Sequence, residues 1–243
     1  MIKYLKISWN GHPPQVKDSN AYEYLNLLQN KKGSPLTLID IGGAAQLRIP
    51  EYTTHILDFQ PEKLDNDAIV KFGGDIELSD TWIPIFDYVE NHGKFDFVVC
   101  SHTLEDLNAP QQVILNLFKI GNAGLIALPT KFMDTKKWER HYGGDYLGYH
   151  HHRWIYTMKD RMLRGFPKMG LMENTDFKFD SSDVYYTQFG DKQTEISFLW
   201  ENSFDMEFIP PYQYMDNFTH PERKSRLIDL MERDDIDDLL LNR

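Results

Sequence analysis

The sequence predicts an α/β protein with a largely parallel sheet, and three observations support this fold class. Short apolar runs alternate with helical stretches between residues 36 and 130. The runs are almost continuously apolar, as strands buried on both faces are. Acids or glycines follow several of the runs. Strands that alternate with helices need crossover connections, which make the strands parallel and place helices on both faces of the sheet.

The individual elements follow this alternation along the chain. A fair amphipathic pattern predicts a first helix over 17–31, which ends near Gly33. Further helices are predicted over 82–91 and 110–120. The predicted strands share β-branched and aliphatic composition and lie at 37–41, 53–58, 68–72, 95–100 and 125–128.

The pattern changes after Pro129. Residues 131–170 are rich in His, Tyr, Trp and Arg, and they predict a helical insert without parallel strands. The segments 195–200 and 206–209 flank a turn and predict an antiparallel hairpin. Segments 177–179 and 184–187 are alternative places for one more strand.

The tail from Pro221 predicts a charged amphipathic helix, which packs on the domain or on a second copy in a homodimer. With no repeat or linker in the sequence, we expect one domain over 1–243. We divide it into a core (36–130), an insert (131–170) and a C-terminal hairpin and helix (195–243).

The bulk composition excludes several classes of protein. A formal net charge of −11 argues against nucleic acid as the main partner. No apolar run approaches the roughly 20 residues that span a bilayer, so we expect no membrane partner. The apolar stretch at the start is too short for a signal peptide. Because Cys100 is the only cysteine, no intrachain disulfide forms, and we expect a reducing cytoplasm.

The most informative local feature is the turn Asp40-Ile41-Gly42-Gly43-Ala44, which closes the first predicted strand. Open α/β sheets bind ligands at such strand ends, where glycine lets the backbone approach closely, and we expect the strand to turn there into a helix. A carboxylate in this place repels phosphate and attracts an ammonium or sulfonium group. The turn therefore favours a cationic ligand that carries adenosine.

Two later strand ends extend this interpretation. Asp58 ends the second predicted strand, where a carboxylate can accept both hydroxyls of a ribose. Asp75 and Ile76 follow the third predicted strand and suit an adenine, which offers an amine to the acid and an apolar face to the isoleucine. Ser101 and His102 follow the fourth predicted strand, in a loop where a substrate meets the cofactor.

In this order, these features resemble the class I S-adenosylmethionine-dependent methyltransferases of the type 11 kind. The family's fourth-strand segment is matched over 95–107 and its fifth-strand segment over 119–129, and the whole resemblance covers 36–130. The resemblance implies a Rossmann-like sheet of seven strands, the last antiparallel, and S-adenosyl-L-methionine as cofactor. The cofactor-binding residues it implies are Asp40, Gly42, Gly43, Ala44, Asp58, Phe59, Asp75, Ile76, Ser101 and His102.

The chain departs from the family pattern at three positions. Ala44 and Gln46 stand where the family usually has glycines, and Asp106 replaces the last His of the fourth-strand segment. A longer side chain at position 46 narrows the cofactor site. This departure keeps open a catalytically inactive protein that binds the cofactor as a partner subunit. A NAD-binding sheet ranks lower, because the glycines do not follow G-x-G-x-x-G.

The insert carries the groups that suit a methyl acceptor, and the resemblance places it beside the cofactor's methyl group. A hydroxyl acceptor benefits from a base, and His suits this role near neutral pH. We therefore expect methyl transfer to a hydroxyl of a small molecule or sugar. The predicted catalytic residues are His150, His152, Asp145 and Arg153, and the predicted substrate-binding residues are Tyr142, Tyr149, His151 and Trp154.

Two alternatives concern the same insert. A neutral amine acceptor would use the same pocket as a hydroxyl. His150 and His152 would share a side of an extended chain, and Asp145 or His141 could complete a metal site. That arrangement would indicate a metal-dependent hydrolase, whereas the leading interpretation needs no metal.

Overall fold

A computed structural model describes residues 2–8, 19–135, 149, 151–168 and 195–209 of the chain. The chain forms two compact units. The first comprises Met1–Leu5, Asn10–Leu128 and Ser197–Ser203, and the second comprises Lys6–Trp9, Pro129–Ile196 and Phe204–Arg243.

Within the described residues, seven strands form one large sheet. In chain order they are β1 (Ile2–Ser8), β2 (Leu38–Ile41), β3 (His55–Asp58), β4 (Val70–Gly73), β5 (Phe97–Ser101), β6 (Ala123–Pro129) and β9 (Glu195–Glu201). Their order across the sheet is β1-β9-β6-β5-β2-β3-β4. The pairs β6–β5, β5–β2, β2–β3 and β3–β4 are all parallel. The predicted α/β class with a mainly parallel sheet is therefore confirmed.

Three α-helices lie in the described part of the first unit: α1 (Ser19–Lys32), α2 (Ile83–His92) and α3 (Pro110–Ile120). Each was predicted to within a few residues. Pro at the start of α2 and α3 suits the first helical turn, where its missing N–H is not needed. From α1, Ala21 and Leu25 pack into a fully buried cluster with residues of the central strands, including Leu38 and Phe97. This packing fixes the parallel sheet, whose carboxyl edge carries the predicted cofactor site.

The chain from Gly42 to Thr54 contains no helix, which corrects the prediction that β2 turns into one. Instead, Leu47 and Ile49 bury their side chains under an irregular crossover, and the crossover ends at β3. Pro50 cannot donate a backbone hydrogen bond, which further disfavours a regular helix here.

The second unit contains α4 (Lys131–Thr135) and a three-stranded sheet of β7 (Trp154–Lys159), β8 (Met162–Pro167) and β10 (Met206–Phe208). The strands β7 and β8 form an antiparallel hairpin. Asp160 and Arg161 both have positive φ at its tip, as a two-residue hairpin turn requires. The prediction of a helical insert is therefore wrong for residues 154–167. Arg is an unusual residue at positive φ, so the turn had no sequence signature.

The predicted hairpin of 195–200 with 206–209 is also wrong. The first segment forms β9 of the large sheet, whereas β10 pairs in parallel with β8. Asn202 has a positive φ and its N–H donates to the carbonyl of Asn122, which holds the end of β9. Both segments alternate as strands do, and alternation does not reveal which partner a strand takes.

Other predictions concern features that the structure leaves open. The strand β1 was not predicted at all, and the antiparallel direction of the last strand stays a prediction. The segments 177–179 and 184–187 and the tail from Pro221 lie outside the described residues. Among the helices described, none has the length and apolar character needed to cross a membrane.

Candidate functional site

The glycine turn after β2 is tightly constrained. Gly42 has a φ of +82°, and its N–H donates to the carbonyl of Leu57 on the neighbouring β3 at 2.8 Å. A Cβ at this position would lie 2.3 Å from Oγ1 of Thr103. Both the backbone conformation and the space therefore require glycine, and the turn keeps its backbone close to the loop that follows β5.

Asp40 lies beneath this turn and is 1% exposed. Its carboxylate accepts the backbone N–H of Arg48 at 3.1 Å. A Cβ on Gly43 would lie 2.5 Å from Cγ of Asp40, so glycine is needed there as well. Burial raises the pKa of Asp40 to about 7, although the N–H and the charge of Arg48 oppose this shift. The carboxylate therefore holds the loop from below, and its predicted attraction for a cationic ligand stays a prediction.

Asp58 connects two loops at the carboxyl edge of the sheet. Its Oδ2 accepts the N–H of Ala44 at 3.0 Å, and its Oδ1 accepts the N–H of Gln60 at 2.8 Å. Phe59, the next residue, is 72% exposed. A carboxylate has about four lone-pair sites, so these two bonds leave capacity for ligand hydroxyls.

The two departures from the family's glycines have different consequences in the structure. The side chain of Ala44 is buried in a core cluster with Leu47, Ile56 and Ile69, so only its backbone is available to a ligand. Gln46 has an exposed side chain. Because the methyl group of Ala44 is buried and the amide of Gln46 is exposed, neither side chain changes the shape of the glycine turn.

The end of β4 places the predicted adenine-binding residues. The N–H of Gly74 donates to the carbonyl of Asp58 at 3.0 Å, which brings this loop beside the previous one. Asp75 accepts the N–H of Glu77 at 2.9 Å and is half-buried. Ile76 is buried, and its carbonyl accepts the indole N–H of Trp82.

The loop after β5 holds an imidazole beside a buried acid. His102 has a φ of 49°, which is uncommon for a residue other than glycine. Its Nδ1 lies 3.3 Å from Oε1 of Glu105, and the side chains are 44% and 1% exposed respectively. Within the described residues, Oε2 of Glu105 is buried without a hydrogen-bond partner. Ser101 ends β5 and its carbonyl accepts the hydroxyl of Thr103.

The second unit contains a shorter and more deeply buried pair of the same kind. Nδ1 of His152 lies 2.7 Å from Oδ1 of Asp134 on α4, and the side chains are 7% and 0% exposed. Lys168, which follows β8, places its Nζ 3.8 Å from the same oxygen. Three ionisable groups from three parts of the chain thus meet inside this unit.

The other predicted acceptor-binding residues lie around this pair. The ring centroids of Tyr149 and His151 lie 4.8 Å and 4.7 Å from that of His152. Arg153 is exposed, and its carbonyl accepts the backbone N–H of Lys168. Trp154 is 5% exposed and packs edge-on against Phe208, so it belongs to the packing of the three-stranded sheet.

Several predicted residues lie outside the described part of the chain: His141, Tyr142, Asp145 and His150. Their predicted roles, and the metal alternative that depends on them, stay predictions. Conversely, sequence reasoning missed Glu105, Asp134 and Lys168 as members of these clusters. Glu105 stands three residues after His102, a spacing that gave a usable signal. Asp134 and Lys168 had none, because the fold brings them to His152 from distant positions.

Comparison with known proteins gives structural neighbours only. No family model and no curated protein matches the chain. A solved structure of the plantazolicin methyltransferase BpumL with a triazolic desmethyl analogue and SAH is similar at a TM-score of 0.35 and 16% identity, over 49% of each chain. CalS10, an amino pentose methyltransferase from Micromonospora echinaspora bound to SAM, gives 0.33 and 14%, over 48% of this chain and 51% of its own.

A third neighbour is the bifunctional kinase-methyltransferase WbdD, with a TM-score of 0.36 and 18% identity over 52% of this chain and 34% of its own. The chain thus spans about half the length of the first two structures it matches, and about a third of WbdD. At such scores the function has to be argued from the residues of this chain.

Proposed function

We propose that this protein is an S-adenosylmethionine-dependent methyltransferase that acts on a hydroxyl of a small molecule or sugar. The observation that carries the proposal is the glycine turn after β2, with Asp58 joined to its backbone. The turn needs glycine at Gly42, and it lies at the carboxyl edge of a parallel sheet, where such folds bind ligands. The order of motifs along the chain agrees with this proposal.

The residues at this edge fit the proposed cofactor. Gly42 brings the backbone close to a ligand, and Asp58 retains lone pairs for the ribose hydroxyls. Phe59 offers an exposed ring for a base, and Asp75 has a half-buried carboxylate for an amine. When bound, S-adenosylmethionine supplies a methyl group on a sulfonium, which makes that carbon open to attack by a nucleophile.

We assign the general base to His152. In the neutral imidazole one nitrogen donates and the other accepts. Because Nδ1 lies 2.7 Å from the Asp134 carboxylate, the proton is held on Nδ1 and the lone pair is on Nε2. That nitrogen would take the proton of the acceptor hydroxyl while the methyl group passes from sulfur to oxygen, with the S–CH3 bond broken and the neutral thioether S-adenosylhomocysteine as the leaving group. Asp134 then stabilises the imidazolium that forms.

Tyr149 and His151 surround this imidazole with rings, which suit the apolar face of a sugar or another planar acceptor. The proposed acceptor class rests on these rings and on the base. A neutral amine is the competing acceptor. It needs no base of this strength, so transfer that survives the loss of His152 would favour the amine.

The first test is thermal unfolding with S-adenosylmethionine, S-adenosylhomocysteine, NAD or zinc added separately. A ligand at 100 times its dissociation constant adds about 2.7 kcal/mol. For a domain of this size, that raises Tm by about 5 to 10 °C. We expect the two adenosyl compounds alone to raise Tm, and Asp58→Asn to reduce the shift by about half or more.

Asp65→Asn is the matched control, because Asp65 is an exposed acid on the connection between β3 and β4. It should leave both shifts unchanged. A shift with zinc alone would instead support the hydrolase. Binding of the adenosyl compounds without transfer to any hydroxyl or amine acceptor would support the inactive partner subunit. No shift with either adenosyl compound would contradict the proposed function.

A further inference from the structure

Lys168 is an unusual lysine, because its side chain is only 3% exposed. Lysines are almost never fully buried without a charged or polar partner. Its Nζ donates to the carbonyl of Tyr149 at 2.5 Å and lies 3.8 Å from Oδ1 of Asp134. Its backbone N–H donates to the carbonyl of Arg153 at 2.7 Å. Lys168 thus holds both ends of the segment 149–153, which carries His152.

The charges around His152 show what this ammonium does. A buried carboxylate alone would draw a proton onto the neighbouring imidazole, because an ion pair is favoured over a lone buried charge. An imidazolium cannot act as a base. Lys168 places an ammonium 3.8 Å from the same carboxylate oxygen, so its positive charge compensates Asp134 while His152 is neutral.

The described part of the second unit contains four further ionisable groups on α4 or close to His152 in the chain. Lys131 is buried at the start of α4, His151 and Arg153 are exposed, and Tyr149 is half-buried. Burial raises the pKa of the Tyr149 hydroxyl, and the negative charge of Asp134 raises it further.

We propose that Lys168 is a positioning residue that keeps His152 unprotonated at rest and holds the segment that carries it. Its catalytic importance rests on the proposed function, whereas its effect on the protonation of His152 does not. The two charged residues have different electrostatic roles. Asp134 orients the imidazole, and Lys168 balances the charge of Asp134 so that the imidazole stays available as a base.

The test measures the protonation of His152 directly, by NMR titration of ring-labelled histidine, with His152→Asn to assign the signal. Lys168→Met keeps the length of the side chain and removes its charge. We expect the pH midpoint of His152 to rise by about one unit or more. Without the ammonium of Lys168, the charge of Asp134 is compensated by protonation of His152 instead. Lys168→Arg keeps the charge and should stay close to the wild type.

Lys159→Met is the matched control, because Lys159 is an exposed lysine on β7 of the same sheet. It should leave the midpoint unchanged. In turnover measurements, the acidic limb of the kcat/KM profile of Lys168→Met should move to higher pH by the same amount, with the alkaline plateau retained. A purely structural role would lower the whole profile and leave its midpoint in place.

Asp134→Asn provides an independent measurement should Lys168→Met fail to fold. Without the carboxylate, the midpoint of His152 should fall below that of the wild type. An unchanged midpoint in a folded Lys168→Met, or in Asp134→Asn, would overturn the inference while leaving methyl transfer intact. A shifted midpoint in a protein that transfers no methyl group would overturn the proposed function and keep the inference.

Discussion

Two imidazole–carboxylate pairs among the residues that the structure describes differ in almost every physical respect. His152 lies 2.7 Å from Asp134, with both side chains nearly inaccessible to solvent. His102 lies 3.3 Å from Glu105, and its ring is almost half exposed. Water screens the second interaction on the imidazole side and leaves the first at full strength. An imidazole beside a carboxylate is therefore held in a short, buried contact in one place and in a longer, half-exposed contact in the other.

The pairs also differ in how the chain assembles them. Glu105 follows His102 by three residues, and the short turn Leu104–Asp106 brings them together. Asp134 lies on α4 and His152 precedes β7, so helix and sheet packing creates that pair. A local pair tolerates changes elsewhere, whereas a tertiary pair depends on the folding of the whole unit.

Loss of each imidazole gives the largest expected difference. Asn at position 152 retains a donor near the place of Nδ1 and removes the base, so His152→Asn should lower kcat/KM by about 10²- to 10⁴-fold. His102→Asn should lower it by less than about tenfold, because Asn tolerates the positive φ found there. Steady-state kinetics with one acceptor measures both. A larger loss of kcat/KM in His102→Asn than in His152→Asn would indicate that His102 is the general base.

Loss of each carboxylate should separate the pairs in stability. Asp134→Asn removes a buried carboxylate that lies beside both Nδ1 of His152 and Nζ of Lys168, so the free energy of unfolding should fall by about 3 kcal/mol. Oε2 of Glu105 is buried without a hydrogen-bond partner within the described residues, so the charged carboxylate is poorly compensated there. Glu105→Gln removes this charge, and the free energy of unfolding should therefore change by less than about 1 kcal/mol.

Urea unfolding of both variants measures these values, with Asp205→Asn as an exposed acidic control in the second unit. Equal losses of unfolding free energy in Asp134→Asn and Glu105→Gln would contradict this ranking. They would show that burial of the carboxylate alone, and not burial of the imidazole as well, sets the contribution to stability. A stable Asp134→Asn would also remove the support for a charged Lys168 beside it.

A third imidazole sharpens the comparison, because no carboxylate is recorded beside it in the described structure. His55 is 6% exposed and lies among the rings of Phe72, Tyr88 and Phe95, with Thr54 Oγ1 2.8 Å from its Nδ1. Burial lowers the pKa of His55, and the charge of His92 lowers it further.

The sign of the resulting pH dependence follows from this direction. Below the unfolded-state pKa of about 6.5, the unfolded chain binds a proton that folded His55 resists, so stability falls as the pH falls. Between pH 7 and 5, the free energy of unfolding of His55→Phe should therefore fall less than that of the wild type. Urea unfolding across this range checks the slope. An unchanged slope in His55→Phe would show that the aromatic cluster accepts the charged ring.

The sequence predicted the central part of the fold because hydrophobic periodicity is a local property. Leu38–Ile41 and Phe97–Ser101 are nearly continuous apolar runs, and such runs form strands buried on both faces. The need for glycine at Gly42 was also readable, since a turn at the end of a strand has few alternatives. The buried role of Asp40 was not, because the acid sits below the turn rather than on it.

Beyond Pro129 the local patterns were insufficient. Asp160 and Arg161 make a hairpin turn without glycine, so the segment 154–167 carried no turn signal. The strand character of 195–209 was correctly predicted, but the choice of partners was not, since β9 and β10 join different sheets.

The sequence by itself determined the parallel sheet, the glycine turn and the acids at the strand ends, because each depends on residues adjacent in the chain. Only the tertiary structure decided that His152 faces Asp134. Asp134 and Lys168 reach His152 across 18 and 16 positions, and no spacing rule links residues so far apart. Burial decided the rest, since the strength of a charge pair depends on how much water the surrounding fold removes.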